Sequence, residues 1–209
     1  MFIDSLTSDP AYYFTVVGCV TASIVLHELG HGLAAIQQGD DTPLVSGHMT
    51  WNPLVHMGPV GLGLLCFVGV AFGVMPVDPS RFRSRYGDAW VAAAGPLVNG
   101  VLALLSLSSL GVLLAQGIDP QIGNTSPLWV LGLLNVVLLL FNLIPIAPLD
   151  GSAVVGNFVP AYRAFLQKPE NARYSWMAFG VVFLLASELF QVGAEIASAY
   201  VGWVARLVS

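Results

Sequence analysis

Charge is what this sequence has least of. Only 9% of its 209 residues are Asp, Glu, Lys or Arg, and 56% are hydrophobic; soluble domains carry about 25% charged residues. That composition excludes a water-soluble globule and reads as an integral membrane protein, with the lipid bilayer as its solvent. Lys and Arg number seven and the net charge is −5, so there is no basic surface for nucleic acid. The two cysteines, Cys19 and Cys66, lie in apolar stretches; they make no disulfide framework and read as packing residues. Four histidines are too few for the clusters of a membrane di-iron hydroxylase. Residues 1–10 lack Lys and Arg and contain Asp4 and Asp9, the wrong start for a cleaved signal peptide, so the first apolar segment is expected to stay attached. Paired repeats with matching broken helices, as in a transporter, are also missing.

Long apolar runs are present instead. A membrane crossing needs about 20 residues, and segments 11–38, 88–116, 126–147 and 175–207 are long enough. A fifth, 59–76, is shorter and interrupted by Gly61, Gly63, Gly69 and Gly73. The chain reads as one membrane-embedded domain over 1–209, with a core of about 11–155 and a C-terminal helical segment at 175–207. The predicted fold is an all-α polytopic membrane protein: four transmembrane helices and a glycine-rich re-entrant or short fifth segment.

Basic residues orient it. Arg81, Arg83 and Arg85 precede the 88–116 segment, and Arg163, Lys168 and Arg173 follow 126–147, whereas the turn 117–126 carries only Asp119. The positive-inside rule places both basic stretches in the cytoplasm and that turn outside. The first helix then runs inward from an acidic N-terminus. If 59–76 crossed fully, residues 39–58 and the arginines would lie on opposite sides. A segment that enters and returns removes the conflict.

Within the first helix stand His27-Glu28-Leu29-Gly30-His31. Histidines at i and i+4 share a helix face and reach one metal ion, and the glutamate between them suits a general base for metal-activated water. Ionisable groups at that depth cost roughly 2.5–3.5 kcal/mol each on insertion scales and are functional as a rule. At 1.5 Å per residue His27 lies roughly 24 Å along the helix, toward its inner end. A catalytic zinc takes a third protein ligand. Candidates are His48, His56 and Asp150, of which Asp150 is favoured because it follows the inward end of the 126–147 segment. Read alone, Asp150 fits a solvated helix-end turn equally well.

Three ordered motifs resemble the site-2 protease family of intramembrane zinc metalloproteases. They are HELGH at 27–31, Gly95-Pro96-Leu97-Val98-Asn99, and Asn142-Leu143-Ile144-Pro145 leading to Leu149-Asp150-Gly151. The stretches Asn52-Pro53-Leu54-Val55-His56 and Pro76-Val77-Asp78-Pro79 are similar to the family's short bacterial branch without accessory domains. Gly58 stands where that branch has aspartate, and Asp78 and Ser80 where it has Asn and Arg.

The resemblance implies one Zn2+ per chain on His27, His31 and Asp150, with Glu28 activating water to cleave a peptide bond in or near a transmembrane segment of a membrane protein. The rival within the same fold is an inactive scaffold that binds such segments. Asn99 and Asn142 are implied to orient substrate or a ligand, or else only to fix packing. His56 is a candidate relay, metal contact or substrate-site group. A small membrane-associated β-hairpin is expected at 43–54, its edge open to an unwound peptide. The location implied is a bacterial cytoplasmic membrane, with the site toward the cytoplasm.

Overall fold

Helix ends in this chain are set by small polar residues next to prolines. The computed structural model describes residues 2–121 and 126–209. After a single turn, α1 (Ser5–Ser8), Asp9 caps α2 (Pro10–Gln38) by accepting from the Tyr12 N–H at 3.0 Å, with Pro10 in the first turn. Gly39, at φ +96°, ends that helix. Then come α3 (Thr42–Val45), α4 (Pro53–Val68), α5 (Gly87–Ala115) and α6 (Pro127–Asn142). The C-terminal part holds α7 (Asp150–Phe158), α8 (Pro160–Leu166), α9 (Ala172–Leu184) and α10 (Ala186–Val208).

Helices α2 and α5, 29 residues each, extend about 43 Å. Among the described residues they are the two long and apolar enough to cross a membrane; Pro169–Leu184 with Ala186–Val208, bent by 55°, makes a third if the pair is one broken span. This differs from the four expected helices in two places. The 126–147 segment is helical only to Asn142, 16 residues or about 24 Å, because Pro145 and Pro148 lie in the turns that follow and cannot donate to a continued helix. The 175–207 segment divides at Leu185. The turn expected outside, 117–126, falls in part (122–125) beyond the described residues.

Helix α5 is the centre of the bundle, packed against α2, α6, α7 and α10. Polar residues face inward: Ser23, His27, Glu28, His31, Asn99 and Asn135 are all buried, while Phe14, Leu33, Leu97 and Leu105 on α2 and α5 are exposed. An apolar exterior around a polar interior suits a hydrocarbon solvent, where each internal polar group must find its partner within the protein. Glu188 and Glu195 are exposed on α10, whose buried side is Gly193, Ala197, Val201 and Val204.

Residues 41–78 form an out-and-back excursion. Helix α4 starts at Pro53, earlier than the hydropathy suggests, with the Asn52 side chain accepting from the Leu54 N–H at 3.0 Å. It kinks at Gly58 (φ 64°, ψ 171°), a conformation open in practice only to glycine, at the position where the bacterial branch has aspartate. After Val68 the chain returns without regular structure. The Val74 N–H donates to the His56 carbonyl at 3.0 Å, so the returning strap meets the first turn of α4. The Asp78 N–H donates to Asp40 Oδ2 at 2.7 Å, closing the excursion on the end of α2.

The β-hairpin expected at 43–54 is not there: the described residues contain no strand. Pro43 opens α3, the Val45 and Ser46 N–H groups bond back to Asp41 and Thr42, and the Gly47 and His48 N–H groups bond back to Leu44 and Pro43. These local bonds leave no ladder to build. The loose alternation of Val45, Thr50 and Trp51 loses to the proline and the turn that follows it.

Candidate metal centre

His27 and His31 project from one face of α2 with their Nε2 atoms 3.0 Å apart. Asp150, in the first turn of α7, faces both: Oδ2 is 3.3 Å from His27 Nε2 and Oδ1 is 3.4 Å from His31 Nε2. Potential ligand atoms of the three residues all lie within 4.8 Å of one another. The turn at 143–149 brings Asp150 here, and Gly151 is what lets that turn fold so tightly. A Cβ on Gly151 would lie 2.3 Å from the Leu143 carbonyl oxygen. Behind the imidazoles runs the α5 backbone. A Cβ on Gly95 would lie 2.4 Å from His31 Nε2 and 2.6 Å from His27 Nε2, so the missing side chain is the room in which the two nitrogens converge.

The donor set tests whether a cation fits. His31 Nδ1 lies 2.7 Å from the Val91 carbonyl, which can only accept, so that nitrogen carries the proton and Nε2 of the neutral ring presents a lone pair. His27 Nδ1 likewise donates to Asn99 Oδ1 at 2.6 Å. Asp150 Oδ2 is buried and makes no hydrogen bond. Three lone-pair donors therefore meet with no proton between them, an arrangement that a metal ion satisfies. The two Nε2 atoms are 3.0 Å apart and each Asp150 oxygen lies 3.3 or 3.4 Å from one of them, a convergence compact enough for all three residues to reach one ion at about 2.0–2.1 Å.

Glu28 is 5% exposed and faces the strap. A Cβ on Gly73 would lie 2.4 Å from Glu28 Oε1, so the strap backbone passes directly over this carboxylate. His56 stands at the same wall but outside the three-residue group: its Nε2–H donates to the Thr50 carbonyl at 2.8 Å, and its buried Nδ1 makes no hydrogen bond. Asn99 is brought to the site. Asn142 instead donates to the Leu138 carbonyl of its own helix at 3.0 Å.

Two buried polar residues, one behind this centre and one past the end of α2, escape a reading of the sequence. Asn135, fully buried, contacts Asn99 and Ser23; its one signal is an amide in the uncharged run 127–142. Asp40, also fully buried, accepts from Thr42 N–H, Thr42 Oγ1–H and Asp78 N–H. Burial raises its affinity for a proton, but these hydrogen bonds and the nearby Arg81 outweigh that and hold its carboxyl below the usual range.

The sequence profile of peptidase family M50 matches residues 109–187. The chain is 33% identical over 171 residues to YwhC of Bacillus subtilis, a candidate zinc metalloprotease by its name, covering 78% of this chain and 76% of that one. To Rip2 of Mycobacterium tuberculosis, also named a candidate zinc metalloprotease, it is 32% identical over 195 residues, or 86% and 70% of the two chains. The zinc metalloprotease MJ0392 of Methanocaldococcus jannaschii is 24% identical over 203 residues, 91% of this chain and 51% of its own. No solved structure matches. Zinc is thus the metal that the relatives imply for the His27, His31 and Asp150 group, and the chain belongs to peptidase family M50, the site-2 protease family.

Proposed function

We propose that this protein is an intramembrane zinc endopeptidase that hydrolyses a peptide bond in or near a transmembrane segment of another membrane protein. The observation that carries the reading is the convergence of two imidazoles and a carboxylate, with Glu28 one residue from His27, inside a bundle whose outer face is apolar. His27, His31 and Asp150 would hold the metal. Zinc held there supplies Lewis acidity toward a water molecule and toward the scissile carbonyl.

Glu28 takes the proton of the attacking water and returns it to the leaving amine as the C–N bond breaks. A buried carboxylate does this well because bulk water does not compete for its oxygens. A helical substrate keeps each carbonyl in an internal hydrogen bond, so the scissile residue must be unwound before it reaches Glu28. In the membrane, α2, α5 and the α9–α10 pair cross and α6 is a short fourth crossing. The 41–78 excursion enters and leaves on the cytoplasmic side, together with Arg81, Arg83 and Arg85.

The test is a pair of variants in nanodiscs, with zinc content and cleavage of a model membrane peptide measured together. Glu28→Gln is expected to retain about one zinc per chain and lose cleavage, because it removes the base and no ligand. Asp150→Ala is expected to lose zinc. Turnover by Glu28→Gln at the wild-type rate, or wild-type zinc affinity in Asp150→Ala, overturns these assignments.

A further inference from the structure

Behind His27 a chain of buried polar groups crosses three helices, and the chemistry of its far end dictates its near end. The Leu131 carbonyl on α6 can only accept. Asn135 Nδ2 lies 2.8 Å from it and 2.8 Å from Ser23 Oγ on α2. The Ser23 hydroxyl donates to the Cys19 carbonyl at 2.7 Å and is therefore free to accept from that amide. With its nitrogen committed, Asn135 presents Oδ1 to Asn99 Nδ2 at 2.8 Å. An oxygen there fixes Asn99 with its nitrogen toward α6 and its own Oδ1 toward His27 Nδ1, 2.6 Å away. Reversing either amide would set donor against donor or acceptor against acceptor. Ser23, Asn99 and Asn135 are each 0% exposed, so no solvent competes for these bonds.

We propose that Asn135 is a positioning residue for the metal centre: through Asn99 it holds the His27 proton on Nδ1 and keeps the Nε2 lone pair aimed at Asp150 and His31. The inference rests on the zinc reading of that site. It assigns a task to an amide two hydrogen bonds removed from His27, and makes the α6 backbone the fixed reference for the histidine. Without Asn135, Asn99 loses the acceptor that orients it and is free to turn its nitrogen toward His27. The proton of the neutral ring then shifts to Nε2, into the ligand cluster. Neutral imidazole ligates through the nitrogen that its other hydrogen bond leaves bare.

The experiment uses full-length protein in nanodiscs with 15N-labelled histidine. The zinc-free protein reports the His27 tautomer by NMR, and chelator competition reports zinc affinity. Wild type is expected to show the Nδ1–H form alone. Asn135→Leu is expected to show both tautomers and to bind zinc about 10–100-fold more weakly, the range for loss of a ligand-orienting partner. Should Asn135→Leu fail to fold, Asn135→Ser, which removes the carbonyl facing Asn99 and keeps a donor for Leu131, carries the same expectation.

Asn99→Asp orients His27 by itself, since a carboxylate only accepts. Adding Asn135→Leu to that background should cost no further affinity. Wild-type tautomer and affinity in the Asn135 variants overturn the proposal. So does an equal loss in the Asn99→Asp background, because that would be a packing defect. A wild-type protein that holds the Nδ1–H form, loses it in Asn135→Leu and binds no zinc would refute the zinc reading and leave the relay standing.

Discussion

The second half of α2 and the whole of α9 are both apolar helical stretches, yet they stand at opposite limits of packing. From His27 to Gly32 every residue of α2 is buried, and Ala34 and Ala35 follow. Helix α9 buries none of its 13 residues, and Leu184 at its end is 80% exposed. Hydropathy treats the two alike because it records only the cost of leaving water. The difference lies in what replaces water: in α2, protein partners for groups such as His27 Nδ1 and His31 Nδ1, and in α9, a surface suited to lipid. Buried polar atoms with obligatory partners mark where a membrane protein is under chemical constraint.

The sharpest way to break this comparison is one methyl group placed in each helix environment. Gly95→Ala puts a carbon 2.4 Å from His31 Nε2, and the imidazoles must rotate away. Cleavage is expected to fall by at least about 100-fold, the scale of an ångström's misplacement at a reacting centre, with zinc affinity falling alongside. Gly180→Ala, in α9, meets nothing within 4 Å. It should leave cleavage at the wild-type rate and change stability by less than about 1 kcal/mol, in the direction of greater helicity. Equal effects of the two substitutions, measured by peptide cleavage and thermal unfolding, would erase the distinction.

Between those extremes lies Asp40, just past the end of α2. Asp40→Ala leaves the Asp78 and Thr42 N–H groups without their acceptor and is expected to destabilise by about 1–3 kcal/mol. The pH dependence has a definite sign. The folded carboxyl sits below its unfolded value of about 3.9. Its contribution is therefore complete above about pH 4 and is lost as pH falls through the folded value. The gap in unfolding temperature between wild type and Asp40→Ala should thus be widest near neutrality and narrow in acid. A gap that grows in acid would show that the carboxyl is not held in its ionised form.

Much of the centre was legible from sequence because its spacing is local. His27, Glu28 and His31 share one helical turn, and the prolines and glycine around Asp150 announce a tight turn. Counting crossings points to Asp150 on the histidines' side of the membrane, and the structure brings the three residues within reach of one another. Misreadings arose where a weak periodicity competed with strong local chemistry: the alternation at 43–54 yielded to Pro43, and 126–147 yielded to Pro145 and Pro148. Asn135 and Asp40 were illegible for another reason. Their roles depend on partners at Ser23, Asn99 and Asp78, 112, 36 and 38 residues away, and a single polar letter carries no record of such a partner.

The bond between Asp40 and Asp78 has a consequence for how this chain can vary. Everything from residue 41 to residue 77 departs from one point and comes back to it, anchored by a contact of 2.7 Å. The excursion is pinned again along its length, where Met57 and Leu65 share a buried cluster with Val16, Val20 and Ile24 of α2 and the Tyr13 hydroxyl donates to the Cys66 carbonyl, so its outer turns can vary more freely than α4 itself. Because the same excursion carries the strap over Glu28 and packs Met49 and Met75 on Gly32 of α2, a change there bears at once on what covers that carboxylate and on the helix that carries it.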